Sequence, residues 1–207
     1  SVSVVTGQPY FDGVQQTYAE TSDGEGNWAA YGLQLPVEMN GYATDSVMVE
    51  IRNEYTDDTT LAMISGTEGA YYAQPLENLR VGSYEAGLYT ELQEPVSTAN
   101  FTIVNDDHPV IYDRNLKNLA VGMTNVDVNF VYSGPWGENT SLSMTGGDFS
   151  TSQTDVNINM PDAGISLDID SGGLVNDATY TFSFASPANV EFVNGSDTVT
   201  ATVDPIV

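Results

Sequence analysis

The chain has 207 residues, of which 29 are acidic and 4 are basic, and its formal net charge is -25. This balance excludes binding to the phosphate backbone of nucleic acids as the main function. The chain has no cysteine, which excludes disulfides, thiolate metal sites and cysteine nucleophiles. It also has no long apolar run, so no membrane insertion is predicted.

The charge surplus predicts the solvent in which the chain folds. Lys117, Arg52, Arg80 and Arg114 are too few to pair with 29 carboxylates, so most carboxylates must face solvent and repel one another. The Debye length falls from about 10 Å at 0.1 M salt to about 3 Å at 1 M, so concentrated salt would screen this repulsion. The scarcity of lysine and the scattered Asp and Glu resemble proteins of halophilic archaea. The alternative is an acidic secreted protein that carries calcium.

Residues 1–27 are predicted to form an N-terminal arm. Ser1–Val5 has the pattern of a short strand, and residues 21–27 are typical of a flexible tether. Such a strand can complete its own sheet, or it can be donated to the sheet edge of a second copy. Donation would make the chain a homopolymer, because backbone hydrogen bonds supply affinity and alternating side chains supply register.

Period-two alternation dominates the rest of the chain, and each alternating segment predicts a strand with one buried face. Clusters of turn-forming residues separate these segments. In chain order the segments are Val47–Ile51, Tyr84–Leu92, Val126–Tyr132, Val156–Met160, Ile165–Ile169, Tyr180–Phe184 and Val199–Val203. Short strands at this spacing predict an all-β sandwich or barrel.

An internal repeat predicts two domains. One alignment places Asp45–Ile51 over Val126–Tyr132 and continues with Met63 over Met144. Downstream the register changes, so the second copy must carry an insertion. Residues 154–169 are predicted to be this insertion and to form an added hairpin.

In the changed register Tyr84 aligns with Tyr180, and each tyrosine leads into an alternating strand. The pair resembles the tyrosine corners of immunoglobulin-like and fibronectin-like domains, in which the hydroxyl bonds to backbone upstream. The resemblance implies two tandem Ig-like β-sandwiches. The cysteine pair and the strand-C tryptophan of antibody domains are missing, so only the general sandwich class carries over, and a jelly-roll capsid barrel is the alternative.

The predicted organisation has four parts. The arm at 1–27 is followed by a first sandwich at 28–105, a linker at 106–112, and a second sandwich with the extra hairpin at 113–207. The linker begins in the polar segment Asn105–Pro109, which is typical of a domain boundary.

Catalytic residues are not predicted. His108 is the only histidine, so one chain cannot build a two-histidine metal site, and its acidic surroundings favour a solvated linker residue. The serine-hydrolase elbow and the phosphate-binding loop are both missing. A carboxylate pair for glycoside hydrolysis stays open, since any two of the 29 acids could face one cleft. We expect that the chain is not an enzyme and that it needs no organic cofactor.

Calcium is the only cofactor that the sequence suggests. Asp23, Glu25 and Asn27 place oxygen ligands at alternate positions, like the start of a calcium loop, but the later bidentate glutamate is missing. Two acidic pairs are further candidates, with a solvated face as the alternative for each: Asp106 with Asp107, and Asp168 with Asp170. An ion at Asp106 and Asp107 would stiffen the joint between the domains.

Asn139 and Asn194 open glycosylation triplets in predicted turns, and both are predicted acceptors. Asn100 opens a third triplet, at the start of a strand. Trp28 or Trp136, if exposed, would offer a surface for binding glycans.

These features predict a non-enzymatic structural subunit of an extracellular assembly from a halophilic organism, which self-associates through β-strand addition. The assembly would be a filament, a surface layer or a virion shell. The alternative is a secreted monomeric adhesin or carbohydrate-binding module, and an acidic hydrolase is a third reading. The predicted location is extracellular or on the cell surface, with the virion as the alternative.

Overall fold

The computed structural model describes residues 7–91, 93–113, 125–135, 141–146, 149–153, 162–168, 179–186, 190–194 and 198–200. In these residues the regular structure is strands and one short 3-10 helix at Thr44–Ser46, which confirms the predicted all-β class. No helix in the described ranges is long and apolar enough to cross a membrane. The chain divides into two compact units, Ser1–Val104 and Asn105–Val207.

The first unit contains β1 to β10. Their bounds are Tyr10–Phe11, Thr17–Ala19, Thr21–Ser22, Trp28–Ala29, Leu35–Glu38, Met48–Asn53, Thr59–Thr67, Ala70–Pro75, Gly82–Tyr89 and Ser97–Val104. Eight of these strands form one sheet in the order β1-β5-β8-β7-β6-β9-β10-β2, and β3 pairs with β4 separately.

Alternation along the strands separates the core from the surface. In β6 the side chains of Val49 and Ile51 are buried, whereas those of Met48 and Arg52 point outwards and are exposed. Successive strand residues face opposite sides of a sheet, so one apolar face is buried while the other carries polar residues. The predicted strand at Val47–Ile51 is confirmed.

Seven of the eight strands in this sheet follow the strand order of an immunoglobulin constant-type domain, and β2 is added beside β10. Reading β1, β5, β8 and β7 as A, B, E and D, and β6, β9 and β10 as C, F and G, reproduces both sheets of that fold. The long β7 pairs with β6 through its first residues and with β8 through its later ones, which joins the two halves into one sheet.

The sheet curls over a common core. Near its two ends the Phe11 N–H of β1 donates to Ser97 Oγ of β10, at 3.2 Å. Both halves of the sheet contribute buried residues to one cluster. Its strand members are Leu35, Val37, Val49, Ile51, Ile64, Ala73, Tyr84, Ala86, Leu88, Phe101 and Ile103.

Residues 10–22 belong to the first unit, which corrects the predicted arm at 1–27. Tyr10–Phe11 pairs antiparallel with β5, and Thr17–Ala19 pairs parallel with β10. These pairings satisfy backbone groups of β5 and β10 that would otherwise form open sheet edges. Residues 1–6, which include the predicted donated strand at Ser1–Val5, lie outside the described residues.

A tyrosine corner is present at Tyr84, as predicted. Its hydroxyl donates to the Arg80 carbonyl oxygen at 2.8 Å. The ring is 5% exposed and stacks on Phe101, with the ring centroids 5.5 Å apart. The corner therefore fixes the entry into β9 by a hydrogen bond and by ring packing. In the second unit Tyr180 is fully buried in its strand.

The second unit contains β11 to β18. Their bounds are Val110–Asp113, Asn125–Ser133, Ser141–Gly146, Phe149–Gln153, Asp162–Asp168, Thr179–Ser186, Glu191–Asn194 and Thr198–Thr200. They form two four-stranded sheets, in the orders β15-β12-β11-β17 and β14-β13-β16-β18. The predicted linker at 106–112 therefore contains most of β11, which pairs antiparallel with β12 and parallel with β17.

The sheet neighbours correct the predicted repeat. β6 lies between β7 and β9, whereas β12 lies between β11 and β15, so Asp45–Ile51 and Val126–Tyr132 do not occupy equivalent positions. Met63 is 60% exposed and Met144 is fully buried, although the alignment equates them. β6 pairs with β9, which carries Tyr84, whereas the strand that pairs with β16 and its aligned Tyr180 is β13.

Residues 154–161 of the predicted hairpin at 154–169 lie outside the described residues, so the hairpin stays a prediction. Its described strand, β15, pairs with β12 just as β8 pairs with β5 in the first unit. β15 is therefore a regular member of the sheet. Sequence alternation has the same period in every strand, so it cannot distinguish one sheet position from another.

Replacing Tyr84 by phenylalanine is expected to lower the free energy of unfolding of the first unit by about 1 kcal/mol, because the Arg80 carbonyl loses its donor. The measurement is urea unfolding in a Trp136→Phe background, in which Trp28 reports the first unit. Tyr31→Phe is the control, since the Tyr31 ring is 37% exposed. Equal effects of the two substitutions would contradict the corner's role.

Candidate functional site

Among the acidic residues whose side chains the structure describes, Glu20 is the one that is buried. It connects two parts of the first unit. Its side chain is 0% exposed. Glu20 Oε1 accepts hydrogen bonds from Arg80 Nε at 2.7 Å and from the Val81 N–H at 2.8 Å. A buried charge is tolerated when it is paired and hydrogen-bonded, and these donors meet that condition. Glu20 therefore anchors the chain after β2 to the loop before β9.

Arg52 forms a second cluster at the surface. Its guanidinium lies 3.1 Å from Asp57 Oδ1 and 3.4 Å from Glu85 Oε1. The three side chains are well exposed, so these pairs contribute little to stability. They do fix the position of Arg52 on the outer face of the sheet.

The predicted calcium ligands Asp23, Glu25 and Asn27 lie in the loop between β3 and β4. Asp23 Oδ1 accepts hydrogen bonds from the N–H groups of Glu25 and Asn27 at 2.7 and 3.1 Å. Asp23 Oδ2 accepts one from Asn27 Nδ2 at 2.6 Å. The side-chain amide of Asn27 and the backbone N–H of Glu25 hold the pKa of Asp23 below its usual value, against a smaller opposing effect of desolvation. The carboxylate of Asp23 is thus hydrogen-bonded by groups of the same loop. Calcium binding at this loop stays a prediction.

At the predicted joint, Asn105 caps the turn. Its Oδ1 accepts the N–H groups of Asp107 and His108 at 2.9 and 3.0 Å, while Asp106 and Asp107 are exposed. His108 was predicted to be a solvated linker residue. Instead its Nε2 lies 2.6 Å from Glu191 Oε2, at the start of β17. The partner is distant in sequence and is brought close only by the parallel pairing of β11 with β17.

The remaining predicted site residues are dispersed. Asp168 ends β15 and Asn194 ends β17, while Asp170, Asn139 and Trp136 lie outside the described residues. Asn100 is exposed in β10, and Trp28 is half-buried in β4. Within the described ranges no three His, Asp or Glu side chains form a group that could hold a metal ion.

An exposed apolar surface, which the sequence analysis missed, lies on the outer side of β6, β7 and the end of β8. We call it the Met–Leu face, and its members are Met48, Leu61, Met63 and Leu76, exposed by 45%, 46%, 60% and 60%. The Leu76 N–H donates to the Leu61 carbonyl at 2.9 Å, which places these two leucines opposite each other. Continuing the β6–β7 register by one residue places Met48 opposite Met63.

Tyr89 and Glu50 adjoin the Met–Leu face. Tyr89 pairs with Met48, and Glu50 pairs with both Leu61 and Gly87. A Cβ at Gly87 would lie 2.9 Å from Cε2 of Tyr89, so the glycine leaves room for the tyrosine ring to lie over the sheet. Burial raises the pKa of Tyr89, and the negative charges of Glu50, Glu85 and Glu94 raise it further.

A signal for this face was present in the sequence. Residues 61–64 read Leu-Ala-Met-Ile and are apolar on both sides of β7. A strand with one buried face needs apolar residues only at alternate positions. Leu61 and Met63 are the additional apolar residues of β7. Once it is known which side of β7 faces the core, these two side chains are predicted to be exposed.

The comparisons with known proteins give no family. The chain matches no protein-family model and no curated protein sequence. Solved structures show only a weak likeness to the chain, and TM-scores this low carry no argument about function. A BSP domain of a biofilm-associated protein is 15% identical with a TM-score of 0.33, and the match covers 84% of this chain and 28% of that one. A β-glycosidase from Bacteroides vulgatus is 11% identical with a TM-score of 0.30, over 97% of this chain and 26% of that one. The ectodomain of a teleost fish polymeric Ig receptor is 12% identical with a TM-score of 0.30, over 91% of this chain and 100% of that one.

Replacing Arg80 by methionine is expected to lower the free energy of unfolding of the first unit by about 3 kcal/mol, because Glu20 would remain buried without its cation. Arg52→Met is the matched control, with an expected loss of at most about 1 kcal/mol for an exposed pair. Denaturant unfolding reported by Trp28 measures both. Adding Glu20→Gln to Arg80→Met should recover part of the loss, and an Arg52 variant as unstable as the Arg80 variant would refute the anchor.

Replacing Asn27 by alanine is expected to raise the pKa of Asp23 towards its ordinary value, because the strongest donor to its carboxylate is removed. A carboxyl whose pKa is lowered by folding stabilises the fold above its unfolded pKa, and this contribution is lost as the pH falls through the folded pKa. The measurement is a carboxyl 13C NMR titration. Asn40→Ala, whose amide bonds to the Gln8 carbonyl instead, should leave Asp23 unchanged.

Proposed function

We propose that the chain is a non-enzymatic module of an extracellular or cell-surface assembly, that it works in concentrated salt, and that it acts by binding through its surface. One observation carries the proposal. Of the acidic residues whose side chains are described, Glu20 is buried and serves a structural ion pair, and the others are exposed or half-buried. The carboxylates thus form a charged shell over an apolar β core.

This shell supports a role in salt-rich surroundings. With a formal charge of -25, repulsion between exposed carboxylates opposes the folded state in dilute buffer. At about 1 M salt the screening length approaches contact distance, and salts that are excluded from the protein surface also strengthen apolar burial. Both effects favour folding and association in brine.

Self-association through strand addition remains our preferred mode of assembly. The donor would be Ser1–Val5, whose Val2 and Val4 share one side of an extended strand. An acceptor must offer an edge of comparable length. The first unit offers only the short β1 and β2 at the ends of its sheet, whereas β15 is a seven-residue strand at a sheet end of the second unit, judged on the described strands alone. We therefore place the acceptor edge at β15 of a second copy.

A monomeric adhesin is the second candidate, and the Met–Leu face favours it. Met and Leu suit contact with a polypeptide, because flexible apolar side chains adapt to varied partners. A carbohydrate site would instead be expected to present aromatic rings, and the exposed rings of Tyr10 and Tyr31 are not members of the Met–Leu face.

The assembly proposal predicts that the chain forms sedimenting polymers in molar potassium chloride and that Val2→Asp with Val4→Asp abolishes them, because charges on the buried side of the donated strand block its insertion. Ser1→Asp with Ser3→Asp is the matched control, since it adds the same charge on the opposite side. Analytical ultracentrifugation and electron microscopy measure the polymers, and circular dichroism checks the fold.

The variants are confined to residues 1–6 because Tyr10–Phe11 and Thr17–Ala19 are part of the unit's own sheet, and a longer deletion would damage the fold. A wild-type chain that stays monomeric at every salt concentration, or polymers that persist in the Val2 and Val4 variant, would overturn strand donation.

A further inference from the structure

We propose that the Met–Leu face is the docking surface for a polypeptide segment that carries large apolar side chains beside a lysine or arginine. The inference rests on the proposed binding role, but it does not require self-association. Three features support it: the apolar surface is continuous, the charge around it is negative, and the strands beneath it already have neighbours on both sides.

The apolar surface is continuous across neighbouring strands. Leu76 lies opposite Leu61, and Met63 lies opposite Met48, so the four side chains form two adjacent rows. Tyr89 extends the second row onto β9. The four side chains are exposed together rather than scattered singly, and contiguous apolar patches are often functional.

The charge around the face selects a cation. Glu50 is half-buried between Leu61 and Gly87, and its carboxylate makes no hydrogen bond or ion pair with the part of the chain that is described. Glu85 and Glu94 add negative charge near Tyr89. The nearby cation, Arg52, is already held by Asp57 and Glu85. A partner's lysine or arginine would therefore complement Glu50 while its apolar side chains cover the methionines and leucines.

The same charge argues against a second copy of this chain as the occupant. Two copies would bring two Glu50 carboxylates and two net charges of -25 together. Contact between copies through this face would strengthen with salt, because screening removes the repulsion. Binding of a cationic partner would weaken with salt for the opposite reason, but only in part, because a pair with the half-buried Glu50 is screened less than exposed charges are. The sign of the salt effect therefore distinguishes the two occupants.

The backbone of the face is already paired. β6, β7, β8 and β9 each have two neighbours in the sheet, so a partner cannot add to them as a further strand. Recognition must use side chains, as when an amphipathic helix lies on an apolar surface. We therefore assign the partner segment an amphipathic character, with its basic residue at the edge of its apolar side.

The experiment uses the whole chain labelled with 13C at the methionine methyl groups. Met48 and Met63 report on the face, while Met39 and Met144, exposed by 1% and 0%, report on the core. The probe is a synthetic amphipathic helix of leucine and lysine, and its control is the same helix with glutamate in place of lysine. Addition of the leucine–lysine helix should shift the Met48 and Met63 signals and leave those of Met39 and Met144 in place.

Two variants separate the apolar from the charged contribution to binding. Leu61→Ser with Met63→Ser should weaken binding at least about tenfold through lost apolar contact. Glu50→Gln should weaken it about tenfold and reduce its dependence on salt, because one charge-assisted hydrogen bond is lost. Glu25→Gln removes the same charge from the loop between β3 and β4 and should change the affinity less than about twofold.

Several results would overturn the proposal: equal effects of Glu50→Gln and Glu25→Gln, binding of the leucine–glutamate helix, or unchanged Met48 and Met63 signals. Shifts of these two signals with protein concentration alone, growing with salt, would identify a second copy as the occupant and would also overturn it. Failure of strand donation is read separately, from sedimentation of the Val2 and Val4 variant, and leaves this binding measurement unaffected.

Discussion

The ion pair between Glu20 and Arg80 is the interaction on which the first unit depends. It holds the chain after β2 against the loop that enters β9, and the carbonyl of the same arginine accepts the hydroxyl of Tyr84. One residue thus joins the first strands to the tyrosine corner. Although the chain has only four basic residues, one of them pairs with this buried carboxylate, because a buried charge is costly unless it is paired and hydrogen-bonded.

The same strands carry charged residues on their outer side and apolar residues on their inner side. Alternation sends Val49 and Ile51 inwards while Glu50 and Arg52 remain on the outer side, so each strand separates apolar from charged residues without help from disulfides. The Met–Leu face is the exception, because β7 is apolar on both sides. Departures from the local pattern are expected where a surface binds something, since binding requires features that folding alone does not.

The sequence alignment between the two units agrees with the strand pairing at one point and disagrees with it at another. The aligned tyrosines lie in β9 and β16, which pair with β6 and β13. The upstream alignment instead matched β6 with β12, which have different neighbours. Alternating strands resemble one another whatever their place in a sheet, whereas a tyrosine corner depends on a particular turn and a particular backbone acceptor.

The sequence by itself determined the all-β class, the inward residues of β6 and β9 and the corner at Tyr84, because period-two alternation and the residues of a turn are local properties. Only the tertiary structure decided that residues 10–19 complete the first sheet, that Glu20 meets Arg80, that His108 meets Glu191, and that Met48, Leu61, Met63 and Leu76 form one face. These contacts join residues far apart in the chain. Which residues meet depends on the order of the strands in the sheet and on which side of each strand faces the core, and no local sequence pattern encodes either.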